Sequence, residues 1–285
     1  MKILHILPIL IAPLLFVACS DSESGTDTKT TTKSDDSSSA ASATIVTLTA
    51  PDSDLDPAKL GSATVSPHPL PERFPAAASA DALIITVGST GLRPLDKGHL
   101  ALAGFLKPAK TIVVMMGSDA VGSGSADDSF DQSEWLNEKA KEIEEAAQAL
   151  GAEGVMIAVD SPEAKGDIET KGWEAVLAAA EKATPGNAPE RTASESLEVT
   201  ITLPKGSESH APHALKSIKD GNDMDFVFPT GEVGAECQVE ATISTGSTGS
   251  AVLQLEEPIE TAVGDKFVVT RMGTVIGYGE VNELN

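Results

Sequence analysis

Three short runs between residues 82 and 159, "ALIITVG" (82–88), "TIVVMMG" (111–117) and "GVMIAV" (154–159), are apolar without any polar alternation. A strand apolar on both faces must be covered on both, which points to a parallel sheet sandwiched by helices. Val113, Val114 and Met116 are accordingly expected to be buried. Helical patterns lie between and after the runs. "SEWLNEKAKEIEEAAQAL" sets Leu136, Ala140, Ile143, Ala147 and Leu150 on one stripe, with Asp131 and Glu134 as a capping box and Gly151 as a stop. "KGWEAVLAAAEKATPG" repeats the scheme through Trp173, Val176, Leu177 and Ala180 and ends before Pro185. Alternating strand and helix of this kind predicts an α/β layer.

After "GNAPER" the pattern changes. "LEVTITL" turns Leu197, Val199, Ile201 and Leu203 to one side, and "MDFVFP", "ECQVEATIS", "SAVLQLEEPIE" and "DKFVVTRMGTVIGYGEV" follow, separated by Gly, Pro, Asn and Asp turns. Short alternating strands without helices predict an antiparallel sandwich or barrel, here of about six strands beginning near Leu197. Cys237 alternates with Val239, Ala241 and Ile243, so it reads as a buried strand residue rather than a nucleophile. The expected division is an α/β domain over 44–190 and a β domain over 191–285.

The amino-terminal stretch "MKILHILPILIAPLLFVACS" has one lysine, an apolar segment broken by Pro8 and Pro13, and small residues at a cysteine. That is the layout of a secretory signal, and it falls short of the roughly 20 apolar residues of a spanning helix. "FVAC" resembles the bacterial lipobox, although Phe16 stands where that pattern prefers Leu, Val or Ile. We expect a signal peptide over 1–18 and a lipid on Cys19. The Ser/Thr/Asp-rich tract over 19–43 is expected to be a disordered tether, because it has too little apolar surface to offset the entropy of ordering. The protein is then expected to be lipid-anchored in the bacterial cell envelope, facing the periplasm or the exterior. With Cys19 lipidated, Cys237 stands alone, and neither a disulfide within the chain nor a zinc site can be built.

The formal charge of −23 excludes a whole class of partner. Nucleic-acid binding needs clustered Lys and Arg to release counterions, and the sequence has no dense basic run. No nucleic acid is expected. The partners expected are a membrane, through the lipid, and a protein whose identity the sequence does not specify.

The order of elements resembles elongation factor Tu, the translational GTPase, with pieces missing. "DALIITVGSTGLRPLDKGHLAL" is similar to the family segment "DG-x-x-P-Q-T-R-E-H", through Gly91, Pro94 and His99. "TIVVMMGSD" falls where the family reads guanine with N-K-x-D, and "GWEAVLAAAEKATPGNAPER" resembles the last helix of its GTPase domain and the exit from it. The β half is similar to the family's third domain. "SHAPH" matches its His-Thr-Pro turn through His210 and Pro212, "DFVFPTGEVGA" matches the strand and turn after it, and the closing hairpin matches through Phe267, Gly273, Gly277 and Gly279. The resemblance covers most of residues 64–285. It implies a truncated parallel sheet like that of the P-loop GTPases, followed by a third-domain-like antiparallel barrel, with the family's second domain absent.

The family's chemistry needs parts that the chain lacks. A phosphate loop requires G-x-x-x-x-G-K-[ST], and no Gly-Lys dipeptide occurs anywhere in the sequence. In place of the family's D-x-x-G-H segment stands "VSPHPLPERFPAAASADALI", with Ser66 near the Asp position and His68 between two prolines. At the base-reading motif Met116 replaces the Asn, Gly117 replaces the Lys, and Asp119 alone remains, a vestige of guanine binding. Asp127, Asp128 and Asp131 recur after that strand without the D-x-D-x-D-G ladder of a calcium loop. The chain is therefore expected to be a non-catalytic binding or scaffold protein, with no cofactor, no metal and no catalytic residue. The alternative is a GTP-binding, translation-related protein.

Overall fold

The computed structural model describes residues 42–49, 55, 64–66, 70–88, 90–119, 121, 131–205 and 216–285. Cys19, the leader and nearly all of the tether lie outside them, as do His68, Asp127, Asp128, His210 and Pro212.

The apolar runs form β3 (Ala82–Gly88), β4 (Lys110–Met116) and β5 (Met156–Val159). Three further strands widen the sheet beyond them: β1 (Ile45–Leu48), β2 (Thr64–Ser66) and β6 (Thr170–Lys171). All six strands are parallel, in the order β2-β1-β3-β4-β5-β6. The chain passes from β1 to β2, then returns through α1 (Leu70–Ala78) to β3 on the other side of β1. The direction of winding therefore reverses between β1 and β3.

Both faces of the sheet are covered, as two-faced apolar strands require. Val46, Leu48, Leu83, Ile85, Val113 and Met115 point into a core closed by α1, α2 (Pro94–Leu106) and α3 (Gln132–Ala149). Ile84, Ile112, Val114 and Ala158 point the other way, against Trp173, Val176 and Ala180 of α4 (Trp173–Ala180). Val113 and Val114 are fully buried. Met116 is only half-buried, contrary to expectation, because it is the last residue of β4 and emerges at the carboxyl edge. Asp131 caps α3 by accepting from the Ser133 and Glu134 N–H groups.

Among the described residues from Thr192 onward the regular elements are all strands: β7 (Thr192–Leu203), β8 (Ser217–Ile218), β9 (Asn222–Phe228), β10 (Gly231–Gln238), β11 (Ile243–Ser244), β12 (Ser247–Thr261), β13 (Lys266–Arg271) and β14 (Thr274–Leu284). Six of these strands close a barrel in the order β10-β12-β7-β14-β13-β9, while β8 and β11 pair beside it. Closure removes the exposed strand edges that an open sheet would present. The interior is filled by Leu197, Val199, Ile201, Cys237, Leu253 and the rings of Phe226, Phe228 and Phe267, with centroids 5.1–5.6 Å apart where they touch Phe267. Gly279 has a steric reason: a Cβ there would run into the Phe267 ring and the Thr200 carbonyl.

The two layers share a core. Val227 and Val268 of the barrel belong to the same buried cluster as Phe74 and Ala77 of α1, so α1 is packed between sheet and barrel. Lys266 at the start of β13 donates to the Phe105 and Leu106 carbonyls at the carboxyl end of α2, at 2.5 and 3.2 Å. Its ammonium lies 5.2 Å from the Phe105 ring centroid, and that ring packs on Tyr278 at 4.7 Å. The connection between layers is tied at both ends. Gly186 N–H donates to Asp81 at 2.6 Å, and Arg191 grips the Asp265 carboxylate through Nε at 2.9 Å and Nη2 at 3.2 Å.

Candidate functional site

In open α/β sheets ligands bind outside the carboxyl ends of the strands, where the winding reverses. Strands β1, β3, β4 and β5 end at this edge, and the residues that matched the guanine motif directly follow β4. Gly117 turns the chain with φ of 70°, in the left-handed region that favours glycine. Ser118 is fully buried, and Asp119 is exposed at the turn.

The side chain that organises this loop is Asp160, at the end of β5. Its carboxylate accepts from Gly117 N–H at 2.8 Å, Ser118 N–H at 3.1 Å and Ser118 Oγ–H at 2.6 Å. Gln132, in the first turn of α3, donates to the Ser118 carbonyl at 2.8 Å. Two adjacent backbone N–H groups form the kind of nest that holds an anion. Here an internal carboxylate fills it. The loop is thereby locked, with its donors turned inward to Asp160 and Asp119 left outside the network. Sequence reasoning missed Asp160, although its place directly after the third apolar run put it at the carboxyl edge.

The segment after β3 is built as a helix start. Pro94 takes the first helical position of α2, and Asp96 accepts from Arg93 N–H at 2.9 Å, Nε at 3.1 Å and Nη2 at 3.3 Å. His99, matched above only by resemblance, is fully buried, with Nε2 2.6 Å from Nη1 of Arg73 on α1. Ser66 ends the edge strand β2. Among the described residues no group of three or more His, Cys, Asp or Glu is placed to hold a metal ion. Asp131, read as part of an acidic tract, serves as the α3 cap.

Cys237 is fully buried, as the alternation predicted, and faces the barrel interior. Burial, with Asp223 and Glu236 adding to it, pushes its thiol up to about 12, so it carries no thiolate near neutrality.

No family model matches the chain, and no curated protein matches it. Among solved structures, the chain is similar to translation elongation factor SelB from Methanococcus maripaludis in its apo form, with a TM-score of 0.55 and 10% identity. The match covers 85% of this chain and 80% of that one. The fold is thus an elongation-factor-like α/β sheet joined to a closed antiparallel barrel. At that identity the likeness speaks for the fold alone. No helix among the described residues is long and apolar enough to cross a membrane.

Proposed function

We propose that the chain is a lipid-anchored, non-catalytic binding or scaffold protein of the bacterial cell envelope, built on an elongation-factor-like body that neither binds GTP usefully nor hydrolyses it. One observation carries the reading: the Asp160 carboxylate occupies the backbone donors of the loop after β4, where Met116 and Gly117 stand for the Asn and Lys of the guanine motif. The missing Gly-Lys dipeptide supports it, because phosphoryl transfer rests almost wholly on positioning and charge stabilisation. A triphosphate would also meet a strongly acidic protein. The leader ending at Cys19 supports the anchor, since a diacylglyceryl group with an amide-linked chain gives the two-signal attachment that one acyl chain does not.

The similarity to a translation elongation factor favours a second reading, a nucleotide-binding or translation-related protein. Calorimetric titration with a non-hydrolysable GTP analogue and magnesium separates the two. A dissociation constant near or below about 10 μM, roughly −7 kcal/mol, that weakens in Asp119→Ala would overturn the first reading. Incorporation of an alkyne fatty acid into the wild type and its loss in Cys19→Ala tests the anchor, and equal labelling of both would refute it.

A further inference from the structure

Arg73 is the fourth residue of α1 and only 1% exposed, and among the described residues its hydrogen-bond partner is His99, the sixth residue of α2. A guanidinium has donors only, so the His99 nitrogen that faces it must be the acceptor. A neutral acceptor leaves the positive charge uncompensated. Nε and Nη2 of Arg73 have no hydrogen-bond partner. Burial lowers the affinity of the group for its proton, the direction expected where no carboxylate offsets desolvation.

The two open nitrogens lie along one edge of the guanidinium fork, the edge that holds a planar or tetrahedral oxyanion with two parallel bonds. Two other arginines of the chain use this same edge. Arg191 fills it with Asp265 and Arg93 with Asp96. Among the described residues nothing is bound to this edge of Arg73, and a buried charge without a partner is unfavourable.

The place of this residue in the fold matters as much as its chemistry. Both α1 and α2 begin at the carboxyl edge of the sheet, on either side of the reversal between β1 and β3. Their amino ends add partial positive charge there. We propose that Arg73 is the anchor of a small-oxyanion site between the first turns of α1 and α2, taking free phosphate or the similarly sized sulfate through Nε and Nη2. The depth of the residue restricts the ligand to a tetrahedral ion and excludes a nucleotide, so the site is independent of the one that the guanine motif would have served.

Titration of the full chain with sodium phosphate, against sodium chloride at equal ionic strength, tests this. Saturable binding with a dissociation constant below about 1 mM is expected, with sulfate competing and the GTP analogue not competing. Arg73→Met should weaken phosphate binding at least tenfold; a well-packed apolar side chain often replaces a buried charge without loss of stability. The side-chain Nε resonance of Arg73, one of four arginines in the chain, should move with phosphate in the wild-type protein, a readout that stands even if the variant fails to fold. An unmoved Arg73 resonance at saturating phosphate would overturn the proposal, and so would unchanged affinity in Arg73→Met. Displacement of phosphate by the GTP analogue would overturn the size restriction and with it the dedicated site. Failure here leaves the lipid anchor and the GTP titration unaffected.

Discussion

Replacing Lys266 by methionine tests whether the barrel holds the α/β layer in place. The ammonium closes two carbonyls at the carboxyl end of α2 and lies over the Phe105 ring. Methionine keeps most of the stem and removes only the charge and the donors. Hydrogen bonds to a charged group contribute about 1.5–3 kcal/mol, and a cation at a helix carboxyl end adds roughly 0.3–1 kcal/mol. Against this stands the cost of burial, which holds the Lys266 pKa below its usual value; Glu280 opposes that shift and Lys107 adds to it. The balance is an expected loss of about 1–2 kcal/mol. Both tryptophans of the chain, Trp135 and Trp173, lie in α3 and α4, so their fluorescence during urea unfolding reports the α/β layer alone. A substitution in the barrel should therefore lower a midpoint read from the other layer, with the slope unchanged. A loss under about 0.5 kcal/mol, the scale of ordinary surface substitutions, would refute the clamp, as would an equal loss in the exposed Lys182→Met.

Asp160→Asn retains one acceptor oxygen where the carboxylate served three donors, and it should cost about 1–3 kcal/mol. Hydrogen exchange at the Gly117 and Ser118 amides should accelerate, and unchanged protection would remove Asp160 from its organising role. The Cys237 thiol should resist an aromatic disulfide reagent in the folded protein at pH 8 and react fully in urea; prompt native reaction would contradict its placement. Because its folded pKa is raised from 9.0 to about 12, the stability gained by burying it is complete below pH 9 and is lost as the pH climbs toward 12. That high-pH loss should be smaller in Cys237→Ala.

Features carried by local periodicity were legible in the sequence. Three two-faced runs became β3, β4 and β5, and four- and three-residue spacing became α3 and α4. The two-residue alternation from Leu197 became a closed barrel. Short or proline-rich elements were not legible. β2 and β6 have three and two residues, too few for any period to appear. The helix α1 contains Pro75 in its interior, a residue that normally breaks a helix, and it is held by burial of Phe74 and Ala77 between two layers. The candidate site was legible only in its location. Asp160 is 42 residues from Ser118 and Arg73 is 26 from His99, so each pairing exists only through the strand order. A single sequence carries no local signal for either.

The position of β1 has a mechanical consequence. It lies inside the sheet, bonded to β2 on one side and β3 on the other, and Thr44 just before it is latched to Asp81 at 2.7 Å. Consider a pull on Thr44 directed along the axis of this strand. Both neighbours run parallel to it, so the pull slides β1 lengthwise and loads its rungs on both flanks together. A strand at the margin, pulled crosswise, would instead release its rungs one after another. Along that direction β1 takes load in shear, the stiffer way to strain a sheet.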